Sequence, residues 1–190
     1  MPRLIVQSLI AGMLAASVAT GVVASSTCNP DSLTNPDIIT CSQQTLDRLD
    51  RVLNEQYKAL VGESSGPRKS DLLSVQRSWL AFRDPYCEAV YQSTFPGQEA
   101  PIDKIACLTQ LTSARVNELV NLRSGFVGDG FYKVAAVLGA QSVQSFQVLP
   151  VGVNPQWDEY ASQHCAMTRT LLREETSRCL ARMQFHLPIN

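Results

Sequence analysis

The sequence predicts a mainly all-α protein, a small helical bundle clipped by disulfides, on three observations. Apolar residues recur every three and four positions over long stretches, with charged residues elsewhere on the wheel. Glycine- and proline-rich punctuation separates those stretches, with Pro85 the one proline inside them. All six cysteines follow an apolar leader, an even count in a chain bound for an oxidising compartment.

The leader sets the compartment. Met1-Pro2-Arg3 opens a run from Leu4 to Val23 that is apolar or small except at Gln7, Ser8, Ser17 and Thr20. Val22-Val23-Ala24-Ser25-Ser26 then suits signal peptidase, with cleavage after Ala24 or Ser26. A run of about 20 apolar residues can also anchor a chain, but the Gly, Ser, Thr and Ala content here makes a poor permanent span. Ser25-Ser26-Thr27 before Cys28 lacks the pattern that lipid attachment needs. The expectation is a cleaved signal peptide over 1–26 and a periplasmic or secreted chain that is not a lipoprotein. Arg3 leaves with the leader, so the exported part is one charge more negative than the formal −1 of the whole. That balance lacks the clustered basic surface that nucleic acid or anionic lipid calls for.

Six cysteines allow 15 connectivities. Their spacing favours nearest neighbours, Cys28–Cys41, Cys87–Cys107 and Cys165–Cys179. Each pair would close a loop of roughly 13 to 20 residues, worth about 3 kcal/mol through the entropy of the unfolded chain. The other connectivities stay open at this point.

The elements follow in order. Asn29-Pro30-Asp31 and Asn35-Pro36-Asp37 read as turns, and Ser42 as the cap of a helix starting near Gln43. Leu46, Leu49, Leu53, Tyr57 and Leu60 form its apolar stripe, and Gly62 with Ser64-Ser65-Gly66-Pro67 ends it. A second helix opens at about Ser70 and carries Leu72, Val75, Trp79, Phe82 and Tyr86 inward. Pro85 predicts a kink or break near Asp84, because an interior proline removes a backbone bond and costs about 3 kcal/mol. Thr94 to Pro101 reads as a Pro/Gly loop. A third helix runs from roughly Asp103 to Arg123, with Ile105, Leu108, Leu111, Leu119 and Leu122 inward, before Gly125, Gly128 and Gly130. Residues 131–153 are apolar with little charge, and 143–150 look strand-like; helical periodicity returns from Pro155 to Met183. Trp79, Phe82 and Cys87 are echoed at the same spacing by Trp157, Tyr160 and Cys165, and a Cys-Leu pair follows each set. The C-terminal third therefore reads either as a degenerate second half-module or as a chance likeness of two amphipathic helices.

The run Gln76-Arg77-Ser78-Trp79-Leu80-Ala81-Phe82-Arg83-Asp84-Pro85-Tyr86-Cys87 resembles the signature of the LprI-type lysozyme inhibitor domain. Around it stand, in that family's order, Cys28 and Cys41, then Leu46, Asp50, Leu53, Asn54 and Tyr57, and afterwards Cys107, Thr112, Arg115 and Leu119. The resemblance covers Cys28 to Arg123, departs from the pattern at Pro85, and leaves the tail from Gly125 unexplained. It implies antiparallel helices clipped by two disulfides, an envelope location, and binding of lysozyme. On it, Tyr57, Gln76, Arg77, Trp79, Phe82 and Arg115 are structural motif positions. The chain accordingly divides into a leader (1–26), an LprI-like domain (27–124) and a C-terminal extension (125–190), either a degenerate repeat that packs on the first or a chance likeness to it.

Each notable side chain has two readings. Trp79 and Trp157 are core residues on an apolar stripe, or anchors for a partner. Arg83 and Asp84, adjacent and so not facing one another on a helix, each reach a neighbouring helix, Arg83 toward Asp50 or Glu118, or else they meet a partner. His164 and His186 with Cys165 and Cys179 have irregular spacing for zinc, and both cysteines already have a disulfide role. Asp158-Glu159 and Glu174-Glu175 read as solvated surface, and neither a Gly-x-Ser-x-Gly elbow nor a phosphate loop occurs. The expectation is a non-enzymatic binding protein without metal or cofactor. Its partner is a protein, with a muramidase of the lysozyme type the named candidate. Phe95, Pro96, Gly97 and Gln98, in a loop between Cys87 and Cys107, are the expected contact residues, with Arg83 and Asp84. The alternative is an envelope structural or toxin-immunity module that binds another protein and leaves lysozyme alone.

Overall fold

A computed structural model describes residues 28–126, 130 and 154–187. The leader and the strand-like 143–150 lie outside the described residues. Five helices occur among those described: α1 Asn35–Gly62, α2 Gly66–Thr94, α3 Ala100–Ser124, α4 Pro155–Leu172 and α5 Thr176–Phe185. No strand occurs among the same residues.

Three helices start earlier than their apolar stripes predict, and proline is the common reason. Pro36, Pro67 and Pro101 each occupy the first turn of a helix, where the missing N–H has no helical partner to lose and φ is already set. Asn35-Pro36-Asp37 is therefore a helix start, not a turn, and Ser42 lies inside α1. The Asp37 carboxylate gathers the Ser32 hydroxyl at 2.5 Å and the Thr34 hydroxyl at 2.6 Å, which folds residues 32–34 onto that first turn. These two bonds hold the Asp37 carboxyl below its ordinary range.

The break expected near Asp84 is absent: α2 is helical through Pro85. The bond forfeited is the one to the carbonyl of Ala81, and Ala81 and Pro85 both face solvent, where water can take its place. Gly125 ends α3 in the left-handed region (φ 72°), its amide bonding the Asn121 carbonyl at 2.7 Å. The C-terminal helical stretch is two helices. Arg173 turns left-handed at φ 57° and closes α4, whose N-cap Asn154 accepts the Trp157 amide at 2.9 Å.

Side-chain bonds fix the directions. Asn35 reaches Gln98 at one end, and Arg123 reaches Glu63 and Gln56 at the other, so α1 and α3 run in parallel. Cys87–Cys107 and Arg115–Gln76 set α2 antiparallel to α3, and Gln163 bonding Ser74 while Trp157 packs on Phe82 sets α4 antiparallel to α2. Helices α1, α2 and α3 alternate in direction along the chain, as expected, so the closely packed α1–α3 pair is parallel because α2 lies between them in the chain.

All three disulfides join the expected pairs, with Cα separations of 4.8, 5.6 and 5.6 Å. Cys28–Cys41 ties the N-terminal segment to α1, Cys87–Cys107 clips α2 to α3, and Cys165–Cys179 clips α4 to α5. The core gathers Leu53, Leu60, Leu72, Val75 and Leu119 with an aromatic centre of Trp79, Phe82, Trp157 and Tyr160. Trp79 and Trp157 are 1% and 5% exposed, which decides both for the core. Phe82 joins the two aromatic sets, with ring centroids 5.3 Å from Trp157 and 6.2 Å from Tyr160.

Candidate functional site

The α2–α3 connection is a five-residue turn, Phe95 to Glu99, shorter than the expected Thr94 to Pro101 because α2 and α3 each take in more of the chain. Its shape depends on Gly97, whose amide bonds the Thr94 carbonyl at 2.7 Å. A Cβ there would lie 2.7 Å from that same carbonyl oxygen and collide with the Glu99 side chain folded over it. Phe95 is 58% exposed although its ring lies 5.6 Å from Tyr91. Pro96 and Gln98 are exposed as well, and the Gln98 carbonyl accepts from Asn35 at 3.5 Å. Loop residues 95–98 thus stand together at one end of the bundle, beside the start of α1.

Arg83 and Asp84 stand elsewhere, eleven residues back along α2 from Phe95 for Asp84, or about 16 Å at 1.5 Å per residue. Arg83 is engaged within the fold. Its guanidinium lies 4.6 Å over the Trp79 ring, approaches Asp50 at 3.5 Å and donates to the Thr112 hydroxyl at 3.3 Å. It also donates to Asp84 at 2.8 Å. The expectation that adjacent residues would not meet fails here, because the long arginine stem curls back along its own helix. Asp50 is the partner that the sequence nominated; Glu118 pairs with another arginine.

That arginine is Arg115, wholly buried and the centre of a network that sequence reasoning missed. Its Nε donates to Gln76 at 3.1 Å, and its Nη1 to Glu118 at 2.8 Å and to His164 Nδ1 at 3.3 Å. The Tyr160 hydroxyl donates to Glu118. A guanidinium only donates, so His164 Nδ1 accepts and the imidazole is neutral with its proton on Nε2. Burial drives the His164 pKa down to about 4 against the pull of Glu118. Burial works against the Glu118 carboxylate too, but His164, once protonated in acid, together with Arg115 and Arg182 outweighs it and holds its pKa at about 2. Glu174, expected on the surface, is instead 9% exposed and takes Arg182 at 2.9 and 3.0 Å through both oxygens. Separations of 39 to 49 residues hid the contacts of Arg115 with Gln76, Tyr160 and His164. Only the presence of Arg115 and Gln76 in one motif pointed toward them.

The cluster has acid–base groups but no room for a substrate. The cavity touching Arg115, Glu118 and Tyr160 holds about 10 Å³, one water at most. Its part in this fold is to join α3 to α4. No cluster that could hold a metal occurs among the described residues. Two open grooves flank α3 instead. One of 620 Å³ runs along α1, lined by Thr45, Leu49, Thr109 and Ser113; the other, of 540 Å³, runs along α2 beside the loop, lined by Tyr86, Val90, Thr94 and Asp103.

Residues 28–119 match the family model described as lysozyme inhibitor LprI. This segment is an LprI-type domain. No curated protein and no solved structure matches the chain. The matched LprI segment contains α1, α2 and most of α3, two of the three disulfides, the 95–99 turn, and the motif residues Tyr57, Gln76, Arg77, Trp79, Phe82 and Arg115. Trp79, Phe82 and Arg115 are buried, Gln76 and Tyr57 half-buried and Arg77 exposed. Helices α4 and α5 fall beyond the match; α4 packs against its α2, and α5 packs on α4. Among the described residues no helix is long and apolar enough to cross a membrane.

Proposed function

We propose that this chain is an exported, non-enzymatic inhibitor of a lysozyme-type muramidase, which it blocks by covering the substrate cleft with the 95–99 turn. The observation that carries the reading is the disulfide-clipped loop of the LprI-type domain, which presents Phe95 to solvent at the end of a rigid helical pair. A loop held on both sides by helices and a disulfide has little entropy left to lose on binding, and an exposed aromatic on a protruding turn is the usual anchor of such contacts. Export follows from the leader, and the three disulfides fit an oxidising compartment.

Occlusion by shape and apolar contact is the mechanism the loop supports. The nearby cation, Lys104, is held by Glu88 at 2.6 Å, so the turn has no spare ammonium to set against a muramidase's catalytic carboxylates.

Deleting Phe95 to Gln98 tests the reading. The variant should keep its helical spectrum and its three disulfides while losing inhibition of lysozyme-driven cell lysis. Undiminished inhibition by the folded deletion would exclude the loop.

A further inference from the structure

The end of the bundle that carries the 95–99 turn carries more than the turn. Leu33, in the segment that Cys28–Cys41 ties to α1, is 87% exposed, the most exposed of the large apolar residues among those described. The bond from Asn35 to the Gln98 carbonyl sets this segment beside the turn. Two apolar side chains, Leu33 and Phe95, therefore project from two separately disulfide-held segments at one end of the molecule.

Charge divides along the same axis. Asp31, Asp37, Glu88, Glu99 and Asp103 lie at this end, and the cation beside them among the described residues, Lys104, is spent on Glu88. The other four carboxylates make no ion pair among the described residues. The starts of α1 and α3 account for Asp37 and Asp103, which sit in first turns where the helix dipole favours a negative charge. Asp31 precedes α1 and has no such role, whereas Glu99 is the N-cap residue of α3, beside the same dipole but with no side-chain cap bond. The opposite end gathers Arg68, Lys69, Arg169, Arg173 and Arg178 together with Asp71, Glu174 and Glu175, so cations outnumber carboxylates there.

We infer that Leu33 and Phe95 form a two-pronged contact whose carboxylate surround recognises the cationic shoulders of a muramidase cleft. The inference rests on the muramidase reading above and deepens it. An enzyme working on a polyanionic cell wall gains from a positive surface that steers it to substrate. A blocker with an acidic end exploits the same field. The apolar prongs enter between the shoulders, and the carboxylates stay at the rim, clear of the catalytic acids. Rim charges then set the association rate and buried apolar contacts the dissociation rate.

Binding kinetics on immobilised egg-white lysozyme, a basic muramidase, test this with the exported chain at low and physiological salt. Asp31→Lys with Glu99→Lys should slow association about tenfold at low salt, with the difference shrinking as salt rises. Leu33→Ser with Phe95→Ser should speed dissociation by about tenfold or more. Asp71→Lys with Glu175→Lys makes the same change in net charge at the opposite end and should leave association within about twofold. Wild-type binding that the first two variants leave unchanged overturns the two-pronged contact and leaves the inhibitor reading standing. Equal slowing by the opposite-end control also overturns it, because net charge alone would then explain the effect. Absence of binding by the wild type removes the muramidase reading and this inference together.

Discussion

Arg115 shows how one side chain ties a recognisable motif to a part of the chain outside it. It is 0% exposed and bonded to Gln76, Glu118, Tyr160 and His164. Removing one partner of a buried pair costs more than the pair contributes, because the other charge is left without compensation. Arg115→Met should therefore destabilise the fold by about 3 to 5 kcal/mol in urea unfolding, whereas exposed Arg77→Met should change it by about 0.5 kcal/mol or less. Acid should act on the same cluster. His164 is held at about 4, below its ordinary 6.5, so the unfolded chain binds the extra proton first and stability falls as pH drops from 6.5 toward 4. Glu118, lowered from 4.5 to about 2, continues the loss in the same direction below pH 4.5. Urea midpoints measured from pH 7 to pH 3 should decline through both windows, and a flat profile would show that His164 is not held neutral. The sequence placed Arg115 in a motif and both tryptophans on apolar stripes, and the structure buries all three. It could not place Tyr160 or His164 beside Arg115, because periodicity shows which face of a helix is buried and not which helix covers it.

Helix bodies and the C-terminal ends of α1 and α3 were legible, and helix starts were not. The stripes of α1, α2 and α3 lie where the three- and four-residue spacing puts them. The starts moved because Asn-Pro-Asp and Gly-Pro serve equally as turn and as first turn, and the hydroxyl bonds to Asp37 that decide between them are tertiary detail. Pro85 misled for a related reason: its cost depends on whether the deserted carbonyl reaches water. With the bond to Ala81 restored, Pro85→Ala should raise stability, by about 1 to 3 kcal/mol at most, as read from the urea midpoint. In α4 and α5 the spacing of Trp157, Tyr160 and Cys165 repeats that of α2, and both sets turn inward, each followed by a disulfide to the next helix. We read this as a degenerate half-copy of α2–α3. Cys165→Ser with Cys179→Ser should cost about 3 kcal/mol by the loop-entropy argument and loosen α4–α5 first, seen as faster amide exchange there than in α1.

For the molecule as a whole, disulfides and helix packing produce one rigid end with a clipped turn, exposed apolar side chains and unpaired carboxylates. Fold class and the disulfide pairs were legible because both are local in the chain, and the LprI resemblance pointed to the domain that bears the turn. The joining of residues 28–34 to the turn was not legible. It depends on α1 and α3 running in parallel, which short connections do not reveal. The central claim is that this disulfide-held end blocks a muramidase. The most direct measurement is lysozyme-driven lysis of bacterial cells with residues 27–190 added in oxidised form, and again after reduction and alkylation. Oxidised protein should slow lysis, and the reduced form should leave it normal. Undiminished lysis in the presence of well-folded oxidised protein, across several lysozyme types, would contradict the central claim.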